Sequence, residues 1–218
     1  MFPDFYAGLL LHYKNVNIVE TEKNKQLIKE DITGVHGGQE TASGVTLLYD
    51  NRDSLFYPLS GFLIKFSSMY TMPWSDYNFS FTEFEASYFH AIYKTHVIAF
   101  QLSTELSSGN VPFYSLPAIG GSSLMRGLMQ NRFIDKTAIA GQVEYRYPIW
   151  WRFAGTMFAA NGQVQEKLSD YNISDTKLTG GLGLRVILDR EKYISARLDV
   201  GFNTKGQPAV YLLAKEAF

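Results

Sequence analysis

Ile98-Ala99-Phe100-Gln101-Leu102-Ser103-Thr104-Glu105-Leu106 alternates with a period of two residues. Ile98, Phe100, Leu102 and Leu106 fall on one face of an extended chain, and Ala99, Gln101, Ser103 and Glu105 on the other. Successive side chains of a strand point to opposite sides, so the segment reads as a strand with one apolar and one polar face. Three further stretches repeat the pattern. Ile139, Val143, Tyr145 and Tyr147 oppose Gln142, Glu144 and Arg146. Leu182, Leu184, Val186 and Leu188 oppose Gly181, Gly183, Arg185 and Asp189. Ile194, Ala196, Leu198, Val200 and Phe202 oppose Ser195, Arg197, Asp199 and Gly201.

The polar faces are unlike those of a soluble sandwich, which meet bulk water and favour Lys, Glu and Thr. Here they carry Gly, Ser, Gln and charges of both signs, a composition suited to a crowded wet interior. Hydrophobic residues make up 46% of the 218-residue chain, yet no long apolar run of the kind a membrane helix needs is present. Mean hydropathy is only −0.10. Aromatic residues reach 15%, which favours strands and, for Tyr and Trp, membrane interfaces. A net charge of −1 gives nucleic-acid binding no electrostatic support. With no cysteine, disulfides, thiolate metal sites and thiol catalysis are excluded.

Strands are expected near 5–20, 39–52, 60–73, 77–93, 95–109, 137–149, 152–164, 177–190, 193–203 and 208–218. Most match the roughly 9–11 residues of a membrane-crossing strand better than the usual 5–6. Links 21–38, 74–76, 110–136, 165–176 and 204–207 would lie on one side, and 53–59, 94, 150–151 and 191–192 on the other. Long links on one side and short turns on the other are expected of an outer-membrane barrel. The charged stretch Glu20 to Gln26 suits a solvated loop, and no linker or second domain is visible. The fold class is therefore all-β, an antiparallel transmembrane barrel of about ten strands in a single domain, residues 1–218.

An ordered set of short motifs narrows this. Asp50, Arg52, Asp53, Pro58 and Gly61 mark a turn. The longest link holds Gly120-Gly121-Ser122-Ser123-Leu124-Met125-Arg126-Gly127-Leu128. Glu144-Tyr145-Arg146-Tyr147-Pro148, Phe158-Ala159-Ala160-Asn161-Gly162, Gly180 to Arg185 and Arg197-Leu198-Asp199 follow, and the chain ends Val210-Tyr211-Leu212-Leu213-Ala214-Lys215-Glu216-Ala217-Phe218. The set resembles the bacterial surface antigen superfamily of outer-membrane barrels, the group of BamA, TamA, FhaC-type secretion pores and patatin-linked barrels, from about residue 39 onward.

That resemblance implies a protein of the bacterial outer membrane. It would be a pore, translocator or insertase for polypeptide insertion or secretion, working with lipid, a polypeptide substrate and other barrel-assembly components. It implies that the loop of Gly120, Gly121, Arg126 and Gly127 folds into the lumen, where Arg126 engages acidic wall residues. Glu144 and Asp199 are the candidates, with Arg185 beside them. An arginine suits this because its guanidinium stays charged and presents five donors in a rigid fork. Tyr211, Leu212 and Phe218 would belong to a C-terminal assembly signal. This chain departs from the pattern at Met125, where an aliphatic residue is usual, at Leu128, where an aromatic is usual, and at Ala160, where an Asp often pairs with the loop arginine. The family places about five strands after the loop, as here, and about eleven before it. The sequence thus reads as the C-terminal part of a barrel of about sixteen strands, truncated at its N-terminus.

Enzyme chemistry finds no foothold: a nucleophile elbow, a phosphate loop and an H-E-x-x-H metal motif are all missing. His12, His36, His90 and His96 read as surface or lumen residues, and no cofactor or metal is implied. Asp50, Arg52 and Asp53 read as a charged turn bonding its own backbone. Trp150-Trp151 reads as an interface girdle. The alternatives are a small passive porin or structural barrel, the translocator of a patatin-like lipase whose domain is absent here, and a soluble lipid-binding barrel with its apolar faces turned inward.

Overall fold

The computed structural model describes residues 4–19, 32–189, 194–214 and 216–218, so the charged stretch Glu20 to Gln26 lies outside the described residues. The strands are β1 (Phe5–Val16), β2 (Gly38–Asp50), β3 (Gly61–Thr71), β4 (Phe79–Tyr93) and β5 (His96–Gly109). Two short strands follow, β6 (Ala118–Ile119) and β7 (Phe133–Ile134). After them come β8 (Thr137–Trp150), β9 (Phe153–Gln165), β10 (Lys177–Asp189), β11 (Ile194–Asn203) and β12 (Pro208–Leu213).

Ten of these form one antiparallel sheet in simple meander order, β1-β2-β3-β4-β5-β8-β9-β10-β11-β12. β6 and β7 pair with each other inside the long link. That small hairpin has no alternating signature long enough to stand out in the sequence. Apart from β12, the sheet strands run 10 to 15 residues, enough to cross an apolar band about 25 Å tall even when tilted.

The two faces follow the alternation. Phe100 is 48% exposed and Leu102 45%, and Val143, Met157, Leu182, Leu184 and Leu198 are exposed on the same side of the sheet. On the opposite side Gln101, Gln142, Glu144, Arg146, Arg185, Arg197 and Asp199 are buried. A soluble barrel would reverse this, so the wall faces an apolar solvent and encloses a polar interior. Aromatic side chains stand exposed at both strand ends, with Tyr93, Trp150 and Trp151 at one and Tyr70 and Trp74 at the other.

β1 and β12 each have a single neighbour, and no pairing joins them among the described residues. Their outward side chains are correspondingly bare: Leu9 and Leu11 are 87% exposed and Leu212 76%.

The last strand corrects the sequence expectation. It was expected over 208–218 but ends at Leu213, after which Glu216 and Ala217 are buried inside. Val210 and Leu212 face outward. Continuing the strand would put Glu216 in that same phase, a carboxylate against lipid, and turning inward instead gives it a guanidinium partner. β1 is likewise shorter than expected, ending at Val16.

Substituting Phe100→Arg, mid-strand on the outer face, is expected to cost about 2–4 kcal/mol of stability if the face meets lipid. Urea titration of chain refolded into phospholipid vesicles would measure it, and a change near zero would contradict the outward assignment.

Candidate functional site

The link between β5 and β8 is where the interior chemistry gathers. Gly120 (φ 113°), Gly121 (φ 134°), Met125 (φ 60°) and Gly127 (φ 113°) all adopt positive φ, which bends the segment sharply at small cost where the residue is glycine. Met125 tolerates its strained backbone because its side chain is fully buried among Ile119, Leu128, Ala138, Ala140 and Ala160. The three departures from the family pattern fit together here: Ala160 is part of an apolar pad under Met125 and Leu128.

Arg126, between the strained Met125 and Gly127, is completely buried. Its Nη1 donates to Asp199 Oδ2 at 2.7 Å, and its Nη2 to Glu144 Oε2 at 2.6 Å and Gln142 Oε1 at 3.2 Å. The guanidinium carbon lies 3.6 Å from the Phe158 ring centroid, so β9 offers the cation a π face two residues before Ala160. The loop backbone reaches the wall only because β11 has a glycine there: a Cβ on Gly201 would lie 2.7 Å from both Arg126 C and Gly127 N. Gly183 serves similarly, its missing Cβ leaving room for Asp199 Oδ1, Thr156 Oγ1 and Arg185 Nη1.

Among the described residues, Arg126 is one of four fully buried guanidinium groups. Arg146 Nε donates to Glu144 Oε1 at 2.7 Å. Arg185 Nε donates to Glu216 Oε2 at 2.8 Å, and its Nη1 to Asp199 Oδ1. Arg197 Nη1 donates to Asp199 Oδ2 at 3.2 Å. Ser195 Oγ completes the set, donating to Glu216 Oε1 at 2.7 Å. Four arginines face three side-chain carboxylates, Glu144, Asp199 and Glu216, a side-chain excess of one positive charge (4 − 3). Main-chain oxygens take further donors: Arg197 Nη2 donates to Ser122 O at 2.6 Å, and Arg146 donates through Nη1 to Pro58 O at 3.3 Å and through Nη2 to Phe218 O at 3.5 Å.

Arg146 carries the network to the far end of the interior. Its guanidinium carbon lies 5.2 Å from the Tyr57 ring and 5.5 Å from the rings of Phe89 and Phe218. Phe218 stacks on Phe89 at 5.6 Å between centroids. Burial pushes the Tyr57 phenol up to about 12, so the ring stays neutral.

The structure thus brings together Gly120, Gly121, Arg126, Gly127, Glu144, Arg185 and Asp199. Tyr211 joins them, its hydroxyl accepting from Gly127 N and donating to Leu128 O, both at 3.0 Å. Leu212 stands apart, facing outward, and Phe218 is turned inward. Asp50, Arg52, Asp53 and Gly61 also stand apart, in the link between β2 and β3. There Arg52 Nε and Nη2 grip Asp50 at 2.8 Å each, Asp53 Oδ1 accepts from Leu59 N at 2.9 Å, and Gly61 takes φ 110°. These are local turn bonds, and it is the Pro58 carbonyl and the Tyr57 ring, in the same link, that reach the arginine network.

Gln142, Arg146, Phe158, Arg197 and Glu216 were not singled out from sequence. Arg146 and Arg197 had a usable signal, since each lies two residues from a candidate acid and so shares its face. Glu216 had none, because its strand phase pointed the other way. His12 bonds Glu40 at 3.4 Å and His96 bonds Tyr145 at 2.7 Å.

Removing Arg126 strips one partner from both Glu144 and Asp199 in a water-poor setting. Arg126→Ala is expected to cost about 3–5 kcal/mol, and Arg126→Lys to recover only part, because an ammonium cannot reproduce the fork. The midpoint of heat-induced mobility change on cold SDS gels would report both.

Comparison with known proteins agrees with this architecture. The model of the Omp85 superfamily domain matches residues 11–207. BamA from Haemophilus ducreyi lacking POTRA domains 1-3 shares the fold at a TM-score of 0.69 and 16% identity, over 95% of this chain and 49% of that one. The chain therefore spans about half the length of that protein's resolved chain. No curated protein sequence matches it. With most of its length matched by the family model and its wall built apolar side out, the chain belongs to the Omp85 superfamily of outer-membrane β-barrels.

Proposed function

We propose that the chain forms part of a polypeptide-handling barrel of the bacterial outer membrane, an insertase or translocator, in which the Arg126 loop is an internal strut. The observation that supports this is the fully buried Arg126, which links β8 through Glu144 to β11 through Asp199. A strut of this kind fixes the shape of the wall without closing bonds along its edges. The edges of β1 and β12 keep backbone groups available for an extended polypeptide, the ordinary way a sheet accepts a strand. Lipid, an unfolded polypeptide and other assembly components are the partners this reading implies, and no bond-making chemistry is involved. Tyr211, Leu212 and Phe218 fit a signal read before folding, since Phe218 is turned inward once the chain has folded.

A passive, plugged pore is the second reading. It is favoured by a cavity of about 520 Å³ beside the loop, lined by Glu85, Gln101, Glu105 and Ser122. Vesicles containing the protein, supplied with a urea-unfolded barrel client, separate the two. The insertase reading expects client folding faster than in bare lipid, and slower again with Arg126→Ala. A client rate equal to that of bare lipid, combined with raised single-channel conductance in Arg126→Ala, would reject it in favour of the plug.

A further inference from the structure

Backbone pairing holds β12 less well than any other strand of the sheet. It is six residues long, pairs only with β11 from Arg197↔Leu213 to Phe202↔Pro208, and has no neighbour on its other edge among the described residues. Yet, besides the stack of the terminal Phe218 on Phe89, it is tied from inside at two places. The Tyr211 hydroxyl bridges Gly127 N and Leu128 O, and Glu216, just beyond the strand, accepts from Arg185 Nε and Ser195 Oγ. Both ties end on the Arg126 assembly. Gly127 and Leu128 follow Arg126 directly, and Arg185 shares Asp199 with it.

We propose that the Arg126 loop positions the edge strand, with Tyr211 and Glu216 as the two clasps through which a seated loop holds β12 against β11. Seating of the loop and docking of β12 are then one coupled equilibrium, and the coupling is reciprocal: loosening either loosens the other. The shortness of β12 makes the clasps decisive, because few ladder bonds compete with them. The inward turn of the tail supplies the second clasp, so the feature that truncates the strand also anchors it. The positional claim stands on these contacts alone. Only its consequence, an edge strand whose release answers to the loop, rests on the insertase reading.

Amide hydrogen exchange on the whole chain in lipid nanodiscs tests the clasps without requiring any insertion activity. Tyr211→Phe removes one oxygen and leaves Gly127 N–H and Leu128 C=O without that partner. Exchange in 209–213 should rise about tenfold or more, with a matching rise at 127–128 and none in β4. Glu216→Gln should raise exchange in 209–213 by a smaller factor, since an amide still accepts a hydrogen bond. Arg126→Ala should loosen β12 although Arg126 has no bond to it. Unchanged β12 exchange in Tyr211→Phe, or an increase spread equally over β4, overturns the proposal. If Arg126→Ala does not refold, the Tyr211→Phe and Glu216→Gln results decide alone. A clasp that holds while client folding shows no acceleration would remove the insertase reading and leave the coupling standing.

Discussion

Burying charge inside a sheet that presents lipid-loving side chains outward is the constraint on which the structure depends. A membrane wall turns its polar residues inward, and in this chain that gathers Arg126, Arg146, Arg185 and Arg197 in one place with no appreciable exposure. Desolvating a guanidinium costs several kcal/mol unless carboxylates and hydrogen bonds replace the water. Glu144 and Asp199 each serve more than one arginine, and carbonyls of Ser122 and Pro58 take remaining donors. The three wall arginines already equal the three acids in number, so what the loop adds is geometry rather than charge balance. Its one cation completes Glu144 and Asp199 from the side that the strands leave open.

Small residues decide where that completion can occur. Gly201 and Gly183 clear a path for backbone and carboxylate on β11 and β10, while Gly127 leaves the loop close to Phe202. The apolar pad of Met125, Leu128, Ala138, Ala140 and Ala160 sits beside the charged network. Its apolar atoms offer the charged groups beside them no competing hydrogen-bond partner. An acid at position 160 would have brought one more carboxylate but broken this pad. Phe158 offers a compromise, an aromatic face that attracts the cation and remains apolar at its edges.

Alternation made most of the fold legible. Strands such as β5 and β8 carry their faces in the order of their residues, and a slip of one would exchange lipid and lumen, so the register is strongly set. Arg126, Glu144 and Asp199 could be singled out because a loop motif and two inward phases converged. The hairpin of β6 and β7 was hidden, since two-residue strands have no period. Glu216 was hidden for a different reason: an alternating pattern states which face a residue takes only while the chain stays in the strand. At Leu213 the chain leaves it, and the cost of a lipid-facing carboxylate overrides the phase.

That departure links the local chemistry to the shape of the whole. The tail could have continued the ladder with β11 through Ala196 and Ser195, gaining backbone bonds at the edge. It turns inward and gains an ion pair, a serine hydroxyl and an aromatic stack on Phe89. Edge bonds of a membrane sheet can be supplied by any extended chain that pairs there, whereas the interior contacts are specific to these side chains. Exchanging generic bonds for specific ones leaves the β12 side of β11 without a ladder partner beyond Arg197 among the described residues and makes the last strand answerable to the lumen. In a fold whose wall is otherwise paired strand to strand, the place where pairing is least complete is also the place where side-chain chemistry has most control.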